Sequence, residues 1–183
     1  MNAHRREVRR LCFAVGLYKQ GLIHDLSKYS PSEFWAGVKY FQGYRSPNAL
    51  ERDLYGYSVA WLHHKGRNKH HFEYWVDVNT EEKFDYAESY VGAPMPTRYL
   101  IEMFFDRIAA SKVYQKENYT DASALEYFER ECLRHYVPMH DKTKRVLVEL
   151  LHMLADNGEE YVLSYIRQTY VSQKNGYGEG IGF

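Results

Sequence analysis

The sequence of 183 residues has few cysteines, no excess charge of either sign and no long hydrophobic run. Its two cysteines, Cys12 and Cys132, lack metal-type spacing, which is typical of a protein of the reducing cytoplasm rather than of a disulfide scaffold. Basic and acidic side chains number 24 each, so there is no global electrostatic case for nucleic acid or for an anionic membrane. No apolar run approaches the length that spans a bilayer.

The N-terminus resembles the opening of a signal peptide, because residues 1–10 are basic and residues 11–18 are apolar. Glu7 interrupts the basic part, Lys19 and Gln20 follow the apolar part directly, and no small-residue cleavage site appears. We therefore expect a cytoplasmic chain that is not exported.

Apolar side chains recur with helical spacing along most of the chain, and no alternation is long enough to indicate a sheet. Ser30 to Glu33 match a capping box with proline at the first helical position, and Asp121 is a second candidate cap. The sequence predicts one all-α domain over residues 1–171 and a flexible glycine-rich tail over 172–183. The predicted helices cover residues 3–18, 31–41, 50–64, 97–114, 121–135, 142–156 and 159–170.

Histidine is the residue type that stands out, and His24 lies next to Asp25 in a short apolar segment. An unpaired carboxylate is costly in apolar surroundings, so Asp25 requires a cation, and a metal shared with His24 would satisfy both side chains. Taken alone, however, the dipeptide favours a hydrogen-bonded pair inside a helical core. The positions of the other histidines move the balance toward a metal.

A second polar segment spans residues 63–71, which hold four of the nine histidines together with three basic side chains and Asn68. It is either a solvated basic patch or a site where imidazoles bind a metal and the cations bind an anion. Neutral imidazole is a preferred ligand of zinc, iron and manganese, so the second interpretation is favoured. In each adjacent histidine pair we expect one member to face the site.

Two further polar residues lie on apolar helix faces. His4 points the same way as the core-facing aliphatic residues of the first helix, and Asp106 lies in an apolar stripe of a later one. Asp106 is expected either to bind a metal or to pair with an arginine such as Arg107. Between these elements, residues 76–93 are acidic and predict a loop or lid with a short extended piece.

The order of these groups resembles the HD-domain superfamily of metal-dependent phosphohydrolases, which has a histidine, a His-Asp dipeptide, further histidines and a distant aspartate on a later helix. The resemblance lies within residues 1–115. Its segments are also similar to a small bacterial and phage branch of unknown function, and they read HDLSKYSPSEF, HHKGRNKHHFEYW and MPTRYLIEMFFDR.

The resemblance implies an HD-like helical bundle with one or two divalent ions, whose identity is left open among manganese, iron, zinc, cobalt, nickel and magnesium. Asp25 would bridge the ions and orient a metal-activated hydroxide, and His64 is favoured over His63. The implied ligands are His4, His24, Asp25, His64, His70, His71 and Asp106. The implied substrate is a small phosphate ester, with a nucleotide as the favoured class. The residues expected to hold it are Lys28, Lys65, Arg67, Asn68 and Lys69.

The sequence leaves two other functions open. Some members of the superfamily bind two irons and oxidise their substrates with oxygen, and a non-catalytic module would only bind a metal or a nucleotide. The chain lacks the Gly-Tyr-Pro loop of the cyclic-dinucleotide phosphodiesterases, so that substrate is not implied. A homo-oligomer is also left open.

Overall fold

The computed structural model describes residues 2–81 and 89–171, and within these ranges most of the chain is helical. The predicted all-α fold is confirmed; the predicted tail lies outside the described residues. The helices are α1 (Asn2–Ala14), α2 (Tyr18–Ile23), α3 (Pro31–Lys39), α4 (Pro47–Tyr55), α5 (Val59–Lys65), α6 (Thr97–Gln115), α7 (Ser123–Arg134), α8 (Asp141–Asn157) and α9 (Glu159–Ile166). Short 3₁₀ turns cover Leu26–Tyr29, Phe72–Trp75 and Lys116–Asn118, and a π-helical turn over Arg167–Val171 follows α9.

A small hairpin lies in the segment predicted as an acidic loop. Strands β1 (Val76–Val78) and β2 (Tyr90–Gly92) pair antiparallel, with Val76 opposite Gly92. A Cβ atom at Gly92 would lie 2.5 Å from the carbonyl oxygen of Pro138, so only glycine fits this close approach. Strands of three residues are too short to show alternation in the sequence, and residues 82–88 of the predicted lid lie outside the described ranges.

The single helix predicted over residues 50–64 is wrong, because the structure divides it into α4 and α5. Gly56 adopts a φ of 79° and ends α4, and Ser58 caps α5 by accepting a hydrogen bond from the backbone N–H of Trp61 (3.0 Å). Leu54 and Leu62, two apolar side chains of this predicted helix, are each more than half exposed.

Two predicted helix caps fare differently. Helix α3 begins at Pro31 after Ser30, as predicted, but Ser30 makes no side-chain capping hydrogen bond within the described part of the chain, and the side chain of Glu33 contacts histidines instead of closing a capping box. Ala122, rather than Asp121, is the residue before α7. Helix α1 ends before the predicted Tyr18, because the chain turns at Gly16, where φ is 88°.

The apolar core lies where α6 packs against α1, α7 and α8, with α9 packed on α8. Side chains of α6 such as Leu100, Phe104 and Phe105 are fully buried, as are Leu11 of α1 and Leu150 of α8. Each such side chain contributes about 1.5–3 kcal/mol when it leaves water. None of the helices in residues 2–81 and 89–171 is long and apolar enough to cross a membrane.

Candidate metal centre

The residues predicted as metal ligands come from separate parts of the chain and meet beside α6. They form two groups, and His24 and His70 form a third with Glu102; in each group the potential ligand atoms all lie within 4.8 Å of one another. Site A consists of His4, His24, Asp25 and Asp106. Site B consists of Asp25, His64, His70 and His71. Asp25 belongs to both groups, so the structure brings all the predicted ligands together.

Site A forms where the start of α1 and the chain after α2 meet α6. The Nε2 atom of His4 lies 2.9 Å from Oδ1 of Asp106, and Nε2 of His24 lies 3.4 Å from the same oxygen. Both Nε2 atoms also face Oδ2 of Asp25, at 3.6 and 3.4 Å. Arg107, the alternative partner of Asp106, instead donates to Glu131 (3.0 Å).

Site B forms around the other oxygen of the Asp25 carboxylate. Its Oδ1 atom lies 3.3 Å from Nε2 of His64 and 3.5 Å from Nε2 of His70. The Nε2 atoms of His64 and His71 are 2.9 Å apart. The two oxygens of Asp25 therefore face different groups of imidazoles, as in a carboxylate that bridges two ions.

Asp25 is the most constrained residue of the centre. It is fully buried and adopts a left-handed conformation with φ of 56°, which is uncommon for a residue other than glycine. Neither of its oxygens has an aligned hydrogen-bond partner among the described residues, although Nζ of Lys28 lies 2.5 Å from Oδ2 as an ion pair. Nε2 of His70 likewise has no hydrogen-bond partner within the described ranges. Buried polar atoms without partners are typical of a site that holds a ligand.

Two glutamates orient the imidazoles from behind. Oε1 of Glu102 lies 2.9 Å from Nδ1 of His24 and 3.1 Å from Nδ1 of His70. Glu33 contacts Nδ1 of His64 at 2.7 Å and Nδ1 of His63 at 2.6 Å. Hydrogen bonds at Nδ1 leave Nε2 as the ligand atom, which is the usual arrangement around a bound metal.

The sequence-based predictions did not include either glutamate. Glu102 lies one helical turn before Asp106 on α6, so the i, i+4 spacing of two carboxylates was a usable signal. Glu33 matched a capping box, and this local pattern concealed its contacts with residues thirty positions later.

The charges in the centre shift the pKa values of its groups. Burial disfavours a charged His24, but the carboxylates of Asp25 and Asp106 outweigh burial and hold the pKa of His24 well above its usual value. Burial also opposes ionisation of Asp25, but Lys28 and His24 hold the pKa of that carboxyl well below its usual value. Burial, together with His70, lowers the pKa of His71, which favours a neutral imidazole with a free lone pair.

Trp61 and Asn68 position site B. The indole of Trp61 stacks on the His64 ring, with centroids 5.7 Å apart, and meets the His71 ring edge-on at 4.7 Å. The amide nitrogen of Asn68 donates to Oγ of Ser27 (2.7 Å) and to the backbone oxygen of His64 (2.8 Å). Asn68 thus connects the turn after α5 to the segment that follows Asp25. A contact between Asn68 and substrate stays a prediction.

The predicted substrate-binding cations have different surroundings. Lys28 contacts Asp25 while its side chain is 34% exposed, so it reaches from the centre to solvent. Arg67 and Lys69 are exposed; Arg67 donates to the backbone oxygen of His63 (3.4 Å), and the Lys69 ammonium lies over the Tyr74 ring. Lys65 is half-buried at the end of α5. The substrate contacts of these last three residues stay predictions.

Residues 1–153 match the profile of a family of unknown function, DUF5662. The chain belongs to this family. The matched range contains all residues of sites A and B and both supporting glutamates, so the whole centre lies in the DUF5662 part of the chain. Curated proteins and solved structures give no significant match. The DUF5662 description carries no activity, and the resemblance to the HD-domain superfamily stays a prediction.

Proposed function

We propose that the protein is a metal-dependent hydrolase of a small phosphate ester, with an HD-like centre that holds divalent ions at sites A and B. The observation that carries this proposal is the Asp25 carboxylate. It is fully buried, and besides the ion pair of Oδ2 with Lys28, its two oxygens face the Nε2 atoms of different imidazoles, His24 at Oδ2 and His64 at Oδ1. A bridging cation pair would offset the cost of burying it.

The donors fit a transition metal. Site A would hold an ion with two imidazoles and two carboxylates, and site B with three imidazoles and the shared carboxylate. Imidazole-rich donors suit manganese, iron, zinc, cobalt or nickel, whereas magnesium prefers oxygen ligands and is the least suited of the predicted metals. When bound, divalent ions lower the pKa of a water molecule and neutralise phosphoryl oxygens.

The residues around the centre supply orientation and charge. Glu33 and Glu102 fix the imidazole tautomers, and Asp25 would orient the attacking group between the two sites. Lys28 is partly exposed beside Asp25 and is the cation best supported as a contact for phosphate oxygens. The free thiols of Cys12 and Cys132 suit the proposed cytoplasmic location.

The test begins with elemental analysis of protein purified without chelators or affinity-metal resin, beside an Asp25→Asn variant. Asparagine tolerates the left-handed backbone at this position but removes the bridging charge. We expect near-stoichiometric metal in the wild type and a large loss in the variant. Phosphate release is then measured on a panel of nucleotides and sugar phosphates with each metal.

Each alternative has its own outcome. Oxygen uptake by the iron-loaded protein without phosphate release would replace hydrolysis by oxygenation. Tight nucleotide binding with neither reaction would indicate a sensor. A wild type that holds no metal and takes up none from manganese, zinc or iron solutions would return His24 and Asp25 to a hydrogen-bonded core pair.

A further inference from the structure

The candidate centre is closed to solvent on one side and open on the other. The side chains of its closed side are at most 4% exposed: His24, Asp25, His64 and His70. On the open side, the side chains of His4 and Asp106 are 12% and 18% exposed, and that of Lys28 is 34% exposed. A molecule in solution therefore reaches the centre past Asp106 and Lys28.

Helix α6 continues beyond Asp106 along this opening. Ala110 and Tyr114 follow Asp106 at steps of four residues, so the three residues lie along one ridge of the helix surface. Ala110 is half-buried and small, whereas Tyr114 is 41% exposed. Tyr114 lies about 12 Å from Asp106 along the helix axis, and long helical side chains point back toward the N-terminus. The ring of Tyr114 therefore leans toward Asp106.

Electrostatic contacts place the Tyr114 phenol next to the open side of the centre. The phenol interacts with both Lys28 and Asp106, and the Lys28 ammonium interacts with Asp106 and Tyr114 in turn. Burial raises the pKa of the Tyr114 phenol although the residue is partly exposed, which is typical of the wall of a cleft. Tyr114, Lys28 and Asp106 thus line a single opening.

The hydroxyl group of Tyr114 has a partner, but its ring has none. Ser46, the residue before α4, forms a side-chain hydrogen bond with the phenol. Within residues 2–81 and 89–171, no aromatic ring stacks on the Tyr114 ring and no cation lies over it. The ring is thus held at its hydroxyl end and is available to stack on a ligand.

Two other aromatic rings near the centre are already occupied. The Arg5 guanidinium lies 5.1 Å from the centroid of the Tyr29 ring. The Arg52 guanidinium lies 5.4 Å from the centroid of the Trp61 ring, which also stacks on His64. Tyr114 is therefore the aromatic side chain best placed to bind a flat group beside the centre.

We infer that Tyr114 stacks on a planar ring in the organic part of the substrate, while Lys28 and the metals of the proposed centre hold its phosphate group. This inference rests on the proposed function and narrows the substrate to phosphate esters that carry a flat ring, such as nucleotides. Stacking accepts any nucleobase, because every base has a π-face. The small side chain of Ala110 leaves room for a sugar between the phosphate and the base.

The test compares two ligands that differ in the base, namely the phosphonate analogues of AMP and of ribose 5-phosphate. In both, CH₂ replaces the ester oxygen and prevents hydrolysis. Calorimetry on the manganese-loaded full chain gives their dissociation constants. We expect the AMP analogue to bind about tenfold or more tightly than the ribose analogue. Tyr114→Ala should remove most of this preference and leave binding of the ribose analogue unchanged.

Two further variants make the comparison specific to the ring. Tyr114→Phe keeps the ring and loses only the hydroxyl group, so it should retain the preference for the AMP analogue. Tyr161→Ala removes an exposed tyrosine of α9 and should bind both analogues as the wild type does. Circular dichroism checks that each variant is folded.

The inference and the proposed function fail in different ways. A wild type that binds neither analogue, or that binds both equally, would overturn the inference, as would an equal loss of affinity for both analogues in Tyr114→Ala. Release of phosphate from AMP with a KM that Tyr114→Ala leaves unchanged would overturn the inference and keep the proposed function. A preference that depends on Tyr114, without phosphate release from any substrate, would keep the inference and overturn hydrolysis.

Discussion

The apolar core and the candidate metal centre share α6, yet they are built in opposite ways. Phe104 and Phe105 of α6 are buried among apolar side chains of neighbouring helices, whereas Glu102 and Asp106 of the same helix face imidazoles. Burial of the first pair stabilises the fold, while burial of the carboxylates costs free energy until cations compensate it. The comparison indicates that burial of the apolar core provides the free energy that keeps the carboxylates of the centre buried.

The largest expected effect lies in the core. Phe104→Ala should lower the free energy of unfolding by about 3–5 kcal/mol, because it leaves a cavity at a fully buried position. Urea denaturation followed by circular dichroism measures the change. Tyr161→Ala, at an exposed position of α9, is the control and should stay within about 0.5 kcal/mol of the wild type. A similar loss in both variants would contradict the division between core and surface.

The next effect belongs to the centre and depends on metal. At a free metal concentration of about 100 times the dissociation constant, binding should stabilise the wild type by about 2.7 kcal/mol. Asp25→Asn should abolish this gain. The gain is the difference between the stability of each protein with and without metal, because the variant also loses the ion pair with Lys28 in the metal-free protein. Thermal unfolding with and without metal provides the measurement. Equal metal stabilisation of both proteins would show that Asp25 is not a ligand.

A smaller effect separates the two sites. Glu102→Gln and Glu33→Gln keep the side-chain shapes but remove the charge behind the imidazoles, so each should weaken metal affinity by about 10- to 100-fold. Trp61 contacts the imidazoles of His64 and His71, so in a background with Trp35→Phe and Trp75→Phe, which leaves Trp61 as the one tryptophan, quenching of its fluorescence by cobalt reports site B. Total binding is followed by calorimetry.

The two glutamate variants should differ in this readout. Glu33 contacts His64 alone among the ligands, so Glu33→Gln should weaken quenching and spare binding at site A. Glu102 contacts one ligand of each site, so Glu102→Gln should weaken both signals. If both variants weakened quenching and total metal binding equally, sites A and B would not be separate binding sites.

The smallest effect lies at the rim of the core and depends on pH. The hydrogen bond from Arg10 lowers the pKa of Glu7 to about 2, with a further contribution from Lys112. A lowered pKa stabilises the fold above the unfolded value of about 4.5, and this contribution is lost as the pH falls toward 2. Because the group is partly exposed, we expect about 1 kcal/mol.

Glu7→Gln tests this contribution. The difference in unfolding free energy between the wild type and the variant should be present at neutral pH and shrink as the pH falls through this window. A difference that does not change with pH would assign the effect to packing alone.

The sequence was informative where a signal is local and periodic. Spacing of apolar residues predicted most helices. A centre shared by His4, His24 and Asp106 was implied by the resemblance to the HD-domain superfamily rather than by the spacing itself. Breaks between helices were harder to predict. The helical spacing of apolar residues continues through Gly56 in the sequence, but α4 ends just before this glycine and α5 begins after it.

Local sequence patterns could not predict which residues hold the imidazoles of the centre in place. Glu33 binds histidines of α5, so its function depends on how α3 packs against α5. The same packing turns Trp35 and Val38 outward, although helical periodicity alone assigns such residues to a core. Tertiary contacts between residues far apart in sequence therefore decide both the partners of Glu33 and the exposure of Trp35 and Val38.

The position of His4 has a consequence for the order in which the molecule assembles during synthesis. Its partner Asp106 lies beyond the midpoint of the 183-residue chain, so site A is not complete until α6 has left the ribosome and met α1. The residues of site B all lie between Asp25 and His71, within a shorter loop that closes at a smaller entropic cost. We therefore expect the imidazoles of site B to approach one another first in a nascent chain, and α6 to complete both sites with Asp106 and Glu102.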